Sequence, residues 1–299
     1  MKPTGSTIVV GVDGSAGAKE AVRWAAEMAA QRKLDLLVVH GLRVAELYYG
    51  GGLAGTASMI DLVRETAVQI LDEAKAIAHA VDGDLTIETA MPTESPAPLL
   101  IDLSRSARMV VVGQTGHEGF AGMLLGSVAT AVAGHAHCPV AVVRTGSDKL
   151  PPPKEGPVVL GVDGGTVGEQ AIEVAFEEAS LRGVPLIAVH AWNDVTYDDT
   201  RGATRLPVNR ESIEQEERRV LAERLAGWQE KYPDVRVERE LVLDTPRHVL
   251  LERSSKAQLV VVGSRGLGGF RGMLLGSTSQ ALVQHANCPV LVVRPQPGT

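Results

Sequence analysis

The chain has 299 residues, a composition that is 44% hydrophobic but only 3% aromatic, and a formal net charge of −7 at pH 7. This length favours two domains of roughly 150 residues, each with its own core, over one very large domain. The negative charge, without any Lys/Arg run, argues against nucleic acid as a partner. No stretch reaches the roughly 20 apolar residues of a membrane span, and residues 1–7 lack a signal pattern, so we expect a cytoplasmic protein.

The first half alternates short β-branched segments with amphipathic ones, which predicts an α/β fold. Ser15 is placed to cap a helix whose apolar face runs from Ala18 to Ala29. Strands are predicted at 7–12, 34–39, 85–90, 109–112 and 140–143, and further helices at 59–80, 98–107 and 127–135. Strands that are apolar on both faces, such as 110–112, favour a parallel sheet covered by helices on each side.

The second half repeats the first at a constant offset, because Asp13 aligns with Asp163 (163 − 13 = 150) and residues 135–140 align with 285–290. One register held over this distance indicates a duplication. Residues 147–156, rich in Pro, Gly and charge, form the predicted linker between a first domain at 1–146 and a second at 157–299. The two cysteines lie one per copy, which predicts reduced, buried thiols rather than a disulfide.

In an open parallel sheet, ligands bind beyond the carboxyl ends of the strands. Asp13 and Asp163 terminate the first predicted strand of each copy, and a glycine ends the fourth. The glycine that ends each fourth strand is the first residue of the pattern G-x2-G-x9-G-S. Its residues are Gly113, Gly116, Gly126 and Ser127 in the first copy and Gly263, Gly266, Gly276 and Ser277 in the second. Glycines let the backbone approach a ligand, and a helix N-terminus favours an anion, so the pattern predicts a phosphate-binding loop.

This pattern resembles the nucleotide motif of the universal stress protein family, specifically its ATP-binding, tandem-domain bacterial members. The resemblance covers nearly the whole chain outside the linker. It implies two Rossmann-like domains of the adenine nucleotide alpha hydrolase-like type, each a five-stranded parallel sheet of order 3-2-1-4-5 with helices on both faces. It also implies ATP, with Mg²⁺, between the first and fourth strands, and a role in stress or dormancy adaptation.

The resemblance also implies which residues contact the nucleotide. They are Gly11, Asp13, His40, Gly113, Gly116, Gly126, Ser127 and Val128 in the first copy, and Gly161, Asp163, His190, Gly263, Arg265, Gly266, Gly276, Ser277 and Thr278 in the second. Because a bare carboxylate would repel a triphosphate, the aspartates should face ribose hydroxyls, the adenine amine or a bridging Mg²⁺.

Structural roles stay open for several of these positions, and the glycines could simply make turns. The N-terminus of the next helix could satisfy Asp13, and the serines at 127 and 277 could be ordinary helix caps. His40 and His190 could be satisfied histidines at strand ends. His135, His137 and Cys138 suggest metal ligands, but Asn287 replaces His137 in the second copy, so no metal site is predicted.

The two copies differ in charge around the loop, which bears on their affinity for phosphate. Where the second copy has Arg265 and Arg271, the first has Thr115 and Ala121. We therefore expect tighter triphosphate binding in the second copy.

Fast phosphoryl transfer needs positioned cations and a residue that orients the nucleophile. Neither loop contains a lysine, and Glu118, the one carboxylate, is replaced by Gly268 in the second copy. The sequence thus favours an ATP-binding regulator without catalytic residues over a slow ATP hydrolase or phosphotransferase, and over a nucleotide-free scaffold. The apolar last strands would be open sheet edges, so we expect the repeats to pair through them and two chains to form a homodimer.

Overall fold

The computed structural model describes residues 3–42, 56–114, 125–144, 151–165, 168–192, 210–266 and 274–295. The chain divides into two compact units, Met1–Pro151 and Pro152–Thr299. The point of division falls within the predicted linker at 147–156.

The first unit alternates strands and helices throughout its described length. Its strands are β1 (Thr7–Gly11), β2 (Asp35–Val39), β3 (Ile87–Ala90), β4 (Met109–Gly113) and β5 (Val140–Val143). Its helices are α1 (Ala16–Arg32), α2 (Thr56–Val81), α3 (Pro96–Leu103) and α4 (Ser127–His135).

The second unit repeats this order of elements. Its strands are β6 (Val158–Val162), β7 (Leu186–Trp192), β8 (Val237–Leu243), β9 (Leu259–Gly263) and β10 (Val290–Val293). Its helices are α5 (Glu169–Arg182), α6 (Arg210–Lys231), α7 (Pro246–Ser254) and α8 (Ser277–His285).

Within each unit the described strands form a parallel sheet. The order is β3-β2-β1-β4-β5 in the first unit and β8-β7-β6-β9-β10 in the second, so both have the order 3-2-1-4-5 that the resemblance implied. The strand order reverses between the first and fourth strands, and such a switch point is where open α/β sheets bind ligands. The predicted fold class is therefore confirmed.

Helices cover both faces of the first sheet, as two strand glycines show. The β1–β4 register puts Gly11 and Gly113 on opposite faces. A Cβ on Gly11 would come 2.7 Å from Leu100 Cδ1 of α3, whereas one on Gly113 would come 2.7 Å from the backbone carbon of Gly17 in α1. Both helices thus pack closely on the sheet, and at Gly113, where the near atoms are backbone, a side chain would not fit without a shift of α1.

The first helix begins and ends as its sequence predicts. Ser15 is its N-cap, and the Ser15 hydroxyl accepts a 3.1 Å hydrogen bond from the backbone N–H of Ala18. Lys33 closes the helix in the left-handed conformation with φ 53°. The whole predicted apolar face from Ala18 to Ala29 is buried, together with Trp24.

Several predicted boundaries differ from the structure by a few residues. Helix α2 begins at Thr56 instead of 59, and α3 runs from Pro96 to Leu103 instead of 98–107. Proline at the first position of α3 explains its early start, because proline lacks the N–H that a first turn leaves unpaired. Thr166, which occupies the position equivalent to Ser15 by sequence and is the predicted cap of the corresponding helix α5, lies outside the described residues, and the N-cap of α5 is Gly168.

The cysteines are free and buried, as predicted. Burial raises the pKa of the Cys138 thiol to about 12, so this thiol stays protonated and unreactive at neutral pH. No helix in the described ranges is long and apolar enough to cross a membrane.

Candidate functional site

The aspartate that follows the first strand has the same local geometry in both units. Asp13 Oδ1 accepts a 3.0 Å hydrogen bond from the backbone N–H of Ser15, and Asp163 Oδ1 accepts a 2.9 Å hydrogen bond from that of Gly165. The residue in between is a glycine with positive φ, 84° at Gly14 and 77° at Gly164. A side chain at that position would be strained, so the turn requires glycine and fixes the direction of the carboxylate.

One carboxylate oxygen of each aspartate is thus satisfied by the backbone that leads into the next helix, as the structural reading of Asp13 proposed. The second oxygen of Asp163 differs, because Oδ2 is buried and has no hydrogen-bond partner among the described residues. Leaving a buried charged acceptor unpaired costs about 1–3 kcal/mol or more. A ligand hydroxyl, an amine or a cation would remove this cost.

The fourth strand is tied to the following helix by two backbone hydrogen bonds. In the second unit, the Ser264 N–H donates to the carbonyl of Val293 at 2.7 Å, and the Gly276 N–H donates to the carbonyl of Ser264 at 2.8 Å. The first unit repeats both bonds, from Gln114 to Val143 at 3.1 Å and from Gly126 to Gln114 at 2.7 Å. In both units the residue after the fourth strand thus joins the last strand of the sheet to the glycine that directly precedes the next helix.

The two helices that follow these loops have glycine N-caps. Gly126 caps α4 and Gly276 caps α8, and within the described chain neither helix has a side-chain cap hydrogen bond. The first N–H groups of a helix are unpaired and its N-terminus carries partial positive charge, so these ends suit an anion. Ser127 and Ser277 are the first helical residues, so the alternative that they are ordinary caps is wrong.

The remaining loop residues are placed along the same edge in the second unit. A Cβ on Gly266 would lie 3.4 Å from Asp163 Oδ2, and one on Gly276 would lie 3.7 Å from the backbone nitrogen of Gly266 and 3.5 Å from Arg265 Cα. The carboxylate, the loop and the helix N-terminus are thus consecutive neighbours. Val128 and Thr278 occupy the second positions of α4 and α8. Gly116 and Arg271 lie outside the described residues.

The close contacts at the strand glycines account for the presence of glycine there by packing alone. Gly161 lies against α7, where its Cβ would come 2.8 Å from Leu250 Cδ1, in the same way that Gly11 lies against α3. Gly113 lies against α1, and a Cβ on Gly263 would come 3.2 Å from the carbonyl oxygen of Arg265. Their assignment to nucleotide contacts therefore stays a prediction that rests on the resemblance.

The histidines of the second strands bond to the turn that follows the first strand. His40 Nδ1 lies 2.8 Å from the carbonyl of Val12, and His190 Nδ1 lies 2.8 Å from that of Val162. His190 Nε2 also lies 2.7 Å from Glu217 Oε2 in α6, so both of its ring nitrogens are engaged. The position predicted for His190 is wrong, because it lies within β7 rather than at its end. Its contacts favour the reading of a satisfied structural histidine.

Unpaired polar atoms also lie at the carboxyl end of β9 in the second unit. Ser264 Oγ and Arg265 Nε are buried without hydrogen-bond partners in the described chain, and Ser264 is 0% exposed. Arg294, directly after β10, was missed by sequence reasoning. Its burial, and then the charge of Arg265, lower the pKa of the Arg294 guanidinium. A weak sequence signal existed, since Arg144 stands at the matching position of the first repeat.

No group of three or more His, Cys, Asp or Glu side chains able to hold a metal occurs in the described ranges. His135 is the last residue of α4, where a positive charge is favourable.

Comparison with known proteins identifies the family. The universal stress protein family model matches residues 6–144 and 156–294. A universal stress protein of Mycobacterium tuberculosis (strain ATCC 25618 / H37Rv) is 40% identical over 290 residues, which is 96% of each chain. A crystal structure of a universal stress protein from Archaeoglobus fulgidus DSM 4304 covers 97% of this chain and 99% of its own, with TM-score 0.71 and 19% identity. A universal stress protein in complex with cAMP covers 46% of this chain and 94% of its own, with TM-score 0.33 and 30% identity. The two family matches and the full-length relative show that this chain belongs to the universal stress protein family, in its tandem-domain form.

Proposed function

We propose that this chain binds ATP in each repeat and acts in the cytoplasm as a nucleotide-dependent regulator of stress or dormancy adaptation. The nucleotide lies beyond the carboxyl ends of the first and fourth strands of each unit. Binding, rather than turnover, is the output, because a ligand shifts a protein between two states only through its different affinity for them.

The unpaired oxygen of Asp163 is the observation that carries this proposal. Asp163 Oδ2 lies next to Gly266, which in turn lies next to the N-terminus of α8 at Gly276. A buried acceptor and an anion-binding helix end are therefore joined by a strip of backbone without side chains. A nucleoside triphosphate matches this arrangement, because its hydroxyl and amine donors lie at one end and its negative charge at the other.

Mg²⁺ suits the same site as a companion of the phosphates. The described residues offer Asp163 Oδ2 as an oxygen ligand, directly or through water, and no larger carboxylate cluster. Mg²⁺ in nucleotide sites is usually held by one or two carboxylates together with substrate phosphates. The ion would thus draw most of its ligands from the nucleotide itself.

Rapid ATP chemistry is the weaker candidate. Backbone N–H groups and a helix N-terminus bind phosphates in the ground state, but they neither activate water nor orient a nucleophile. The loops contain no lysine, and the carboxylate Glu118 is absent from the second repeat. A slow hydrolase or phosphotransferase remains the alternative, followed by a nucleotide-free scaffold.

Two measurements separate these candidates. Nucleotide extracted from the purified protein should be ATP. If no nucleotide is extracted and calorimetry detects no ATP binding, only the nucleotide-free scaffold is left as a candidate. ADP formation should be far slower than the median enzyme turnover of about 10 per second. Turnover near that value would contradict the regulator and favour the enzyme. A phenotype that persists in folded, nucleotide-free variants would also contradict the regulator.

We also propose that the repeats pair through β5 and β10 and that two chains form a homodimer. Both strands end the sheet of their own unit, and their side chains are buried, between 0% and 3% exposed. Unpaired edges of apolar strands invite association. Hydrogen exchange at residues 140–143 and 290–293 should be slow, and fast exchange at both would contradict the pairing. Analytical ultracentrifugation tests the homodimer, and a monomer at micromolar concentration would rule it out.

A further inference from the structure

We propose that Arg265 and Arg294 form a two-guanidinium clamp that lets the second repeat select nucleotides by the length of their phosphate chain. This inference rests on the proposed function, because it refines the ligand of the same site. The clamp favours ATP and ADP over AMP, and it assigns a specificity role to Arg294 that its sequence position did not suggest.

Strand pairing brings the two arginines together although 29 positions separate them (294 − 265 = 29). Gly263 pairs with Val293 at the ends of β9 and β10, and the next residue, Ser264, donates its N–H to the carbonyl of Val293 at 2.7 Å. Arg265 and Arg294 each follow directly. The two guanidinium groups therefore extend from adjacent backbone at the carboxyl edge of the sheet.

Neither arginine has a counter-charge in the described part of the chain. Both are half-buried, no ion pair is formed by either, and Arg265 Nε is buried without a hydrogen-bond partner. Their mutual repulsion and burial disfavour the charged form, as the lowered pKa of Arg294 reflects. An anion bound between them would convert this cost into two charge-assisted interactions.

The helix N-terminus points to phosphate as that anion. Gly276, the N-cap of α8, would place a Cβ only 3.5 Å from Arg265 Cα. Ser264, which directly precedes Arg265, is fully buried with an unpaired hydroxyl among the described residues, and its carbonyl accepts the hydrogen bond of the Gly276 N–H at 2.8 Å. Guanidinium, hydroxyl and helical N–H donors thus belong to neighbouring residues. Two guanidinium groups alone carry about ten N–H donors, which suits the oxygens of a chain of phosphates better than those of a single phosphate.

The first repeat supplies fewer cations at this place. Thr115 replaces the loop arginine, whereas Arg144 keeps the position after the last strand. Selection by phosphate length should therefore be a property of the second repeat.

The experiment compares ATP, ADP, AMP and inorganic tripolyphosphate by calorimetry on the full-length chain. The test variant is Arg294→Gln, and the matched control is Arg236→Gln, which removes the same charge from an exposed side chain paired with Glu238. We expect Arg294→Gln to raise the dissociation constant for ATP at the tighter site on the order of tenfold and that for AMP less than twofold, since a charge-assisted hydrogen bond is lost only with the longer chain. Arg294→Lys, which keeps the charge, should lie in between. Circular dichroism verifies that each variant is folded.

The outcomes separate this inference from the proposed function. Equal weakening of ATP and AMP, or no change in either, overturns the clamp while nucleotide binding stands. If the unaltered protein binds tripolyphosphate but no nucleotide, the proposed function and the selection of nucleotides both fail, and the clamp stands as a polyphosphate site only if Arg294→Gln weakens tripolyphosphate binding. If it binds neither, both fail. If Arg294→Gln does not fold, Arg294→Lys replaces it as the test variant. A ratio of ATP affinity to AMP affinity that is the same in Arg294→Lys as in the unaltered protein would then overturn the clamp.

Discussion

The residue that follows the fourth strand makes the same backbone hydrogen bonds in both repeats, but the sequence that follows it differs between them. Gln114 and Ser264 each donate to the last strand and accept from the glycine that caps the next helix. The next residue is Arg265 in the second repeat, whereas the first has Thr115. The backbone hydrogen bonds are thus the same in both repeats, whereas the side chains beside them differ, and we expect these side chains to give the proposed sites different affinities.

The same division appears at the other end of the site. His40 and His190 bond to equivalent carbonyls at 2.8 Å. Among the described residues His190 also has a carboxylate partner, Glu217, whereas Ala67 stands at the matching position of the first repeat. The hydrogen bond from the histidine to the backbone carbonyl is thus the same in both repeats, whereas the side chain beside the histidine differs. The two sites should therefore bind the same kind of ligand with different strength.

The largest effect should come from Gly113→Ala, which tests whether the strand glycine of the first repeat is structural. The new Cβ would come 2.7 Å from backbone atoms of Gly17, which cannot move aside as a side chain can. We expect the free energy of unfolding to fall by about 3 kcal/mol. Urea denaturation with hydrogen exchange measures the loss and assigns it to the first unit.

Gly227→Ala in α6 is the matched control for that change. Gly227 is exposed within the helix, and a Cβ there would meet nothing within 4 Å. Alanine should stabilise the second repeat by roughly 0.5–1 kcal/mol because of its higher helix propensity. A similar loss of stability in both variants would mean that Gly113 is not held by the contact with α1.

The next effect concerns the ranking of the two sites. Gly266→Ala adds a Cβ at an ordinary 3.4 Å from Asp163 Oδ2, so the chain should fold, but the Cβ occupies space that the ligand needs. We expect ATP affinity at the tighter site to fall by about 2 kcal/mol, roughly thirtyfold. Two-site calorimetry on Gly266→Ala and Gly116→Ala compares the repeats. If Gly116→Ala removed the tighter site instead, the second repeat would not be the stronger binder.

Asp163→Asn should separate binding from stability. The substitution keeps an oxygen to accept from Gly165 and removes the charge of the buried, unpaired oxygen. We expect ATP affinity to fall by about 1.4 kcal/mol, roughly tenfold, with the unfolding free energy of the unliganded chain unchanged within about 0.5 kcal/mol. Asp13→Asn gives the comparison in the first repeat. A large loss of stability without loss of binding would make Asp163 a structural residue only.

The smallest effect is a pH dependence confined to the second repeat. Hydrogen bonding to Asp244 raises the pKa of His248 above its ordinary value near 6.5, and Pro98 stands at the matching position of the first repeat. The interaction of protonated His248 with Asp244 stabilises the folded second repeat. This contribution to the free energy of unfolding is present in full below pH 6.5 and disappears as the pH rises through the raised pKa of His248. NMR titration should show this pKa return to its ordinary range in Asp244→Asn. An unchanged His248 titration in that variant would contradict the pairing.

Local sequence determined much of this protein. Short β-branched and apolar runs placed all five strands of the first repeat, because a strand of a parallel sheet is buried on both faces and so reads as a continuous apolar segment. The Gly-Ser pair predicted the start of α4 at Ser127, and Gly126 is indeed its N-cap, since glycine is among the residues favoured at that position. Sequence pattern also gave the repeat, and hence two copies of one fold.

Tertiary structure decided which distant groups meet. Asp163 and Gly266 became neighbours, and so did the ends of β9 and β10 that carry Arg265 and Arg294, only because the strand order places them side by side. The same holds for the Glu217 partner of His190, 27 positions away. Periodicity reports whether a residue is buried but not which strand or helix lies beside it. Adjacency in the sheet depends on how the whole chain packs, so the sequence could point to this edge as the site while its charge distribution emerged only in the folded protein.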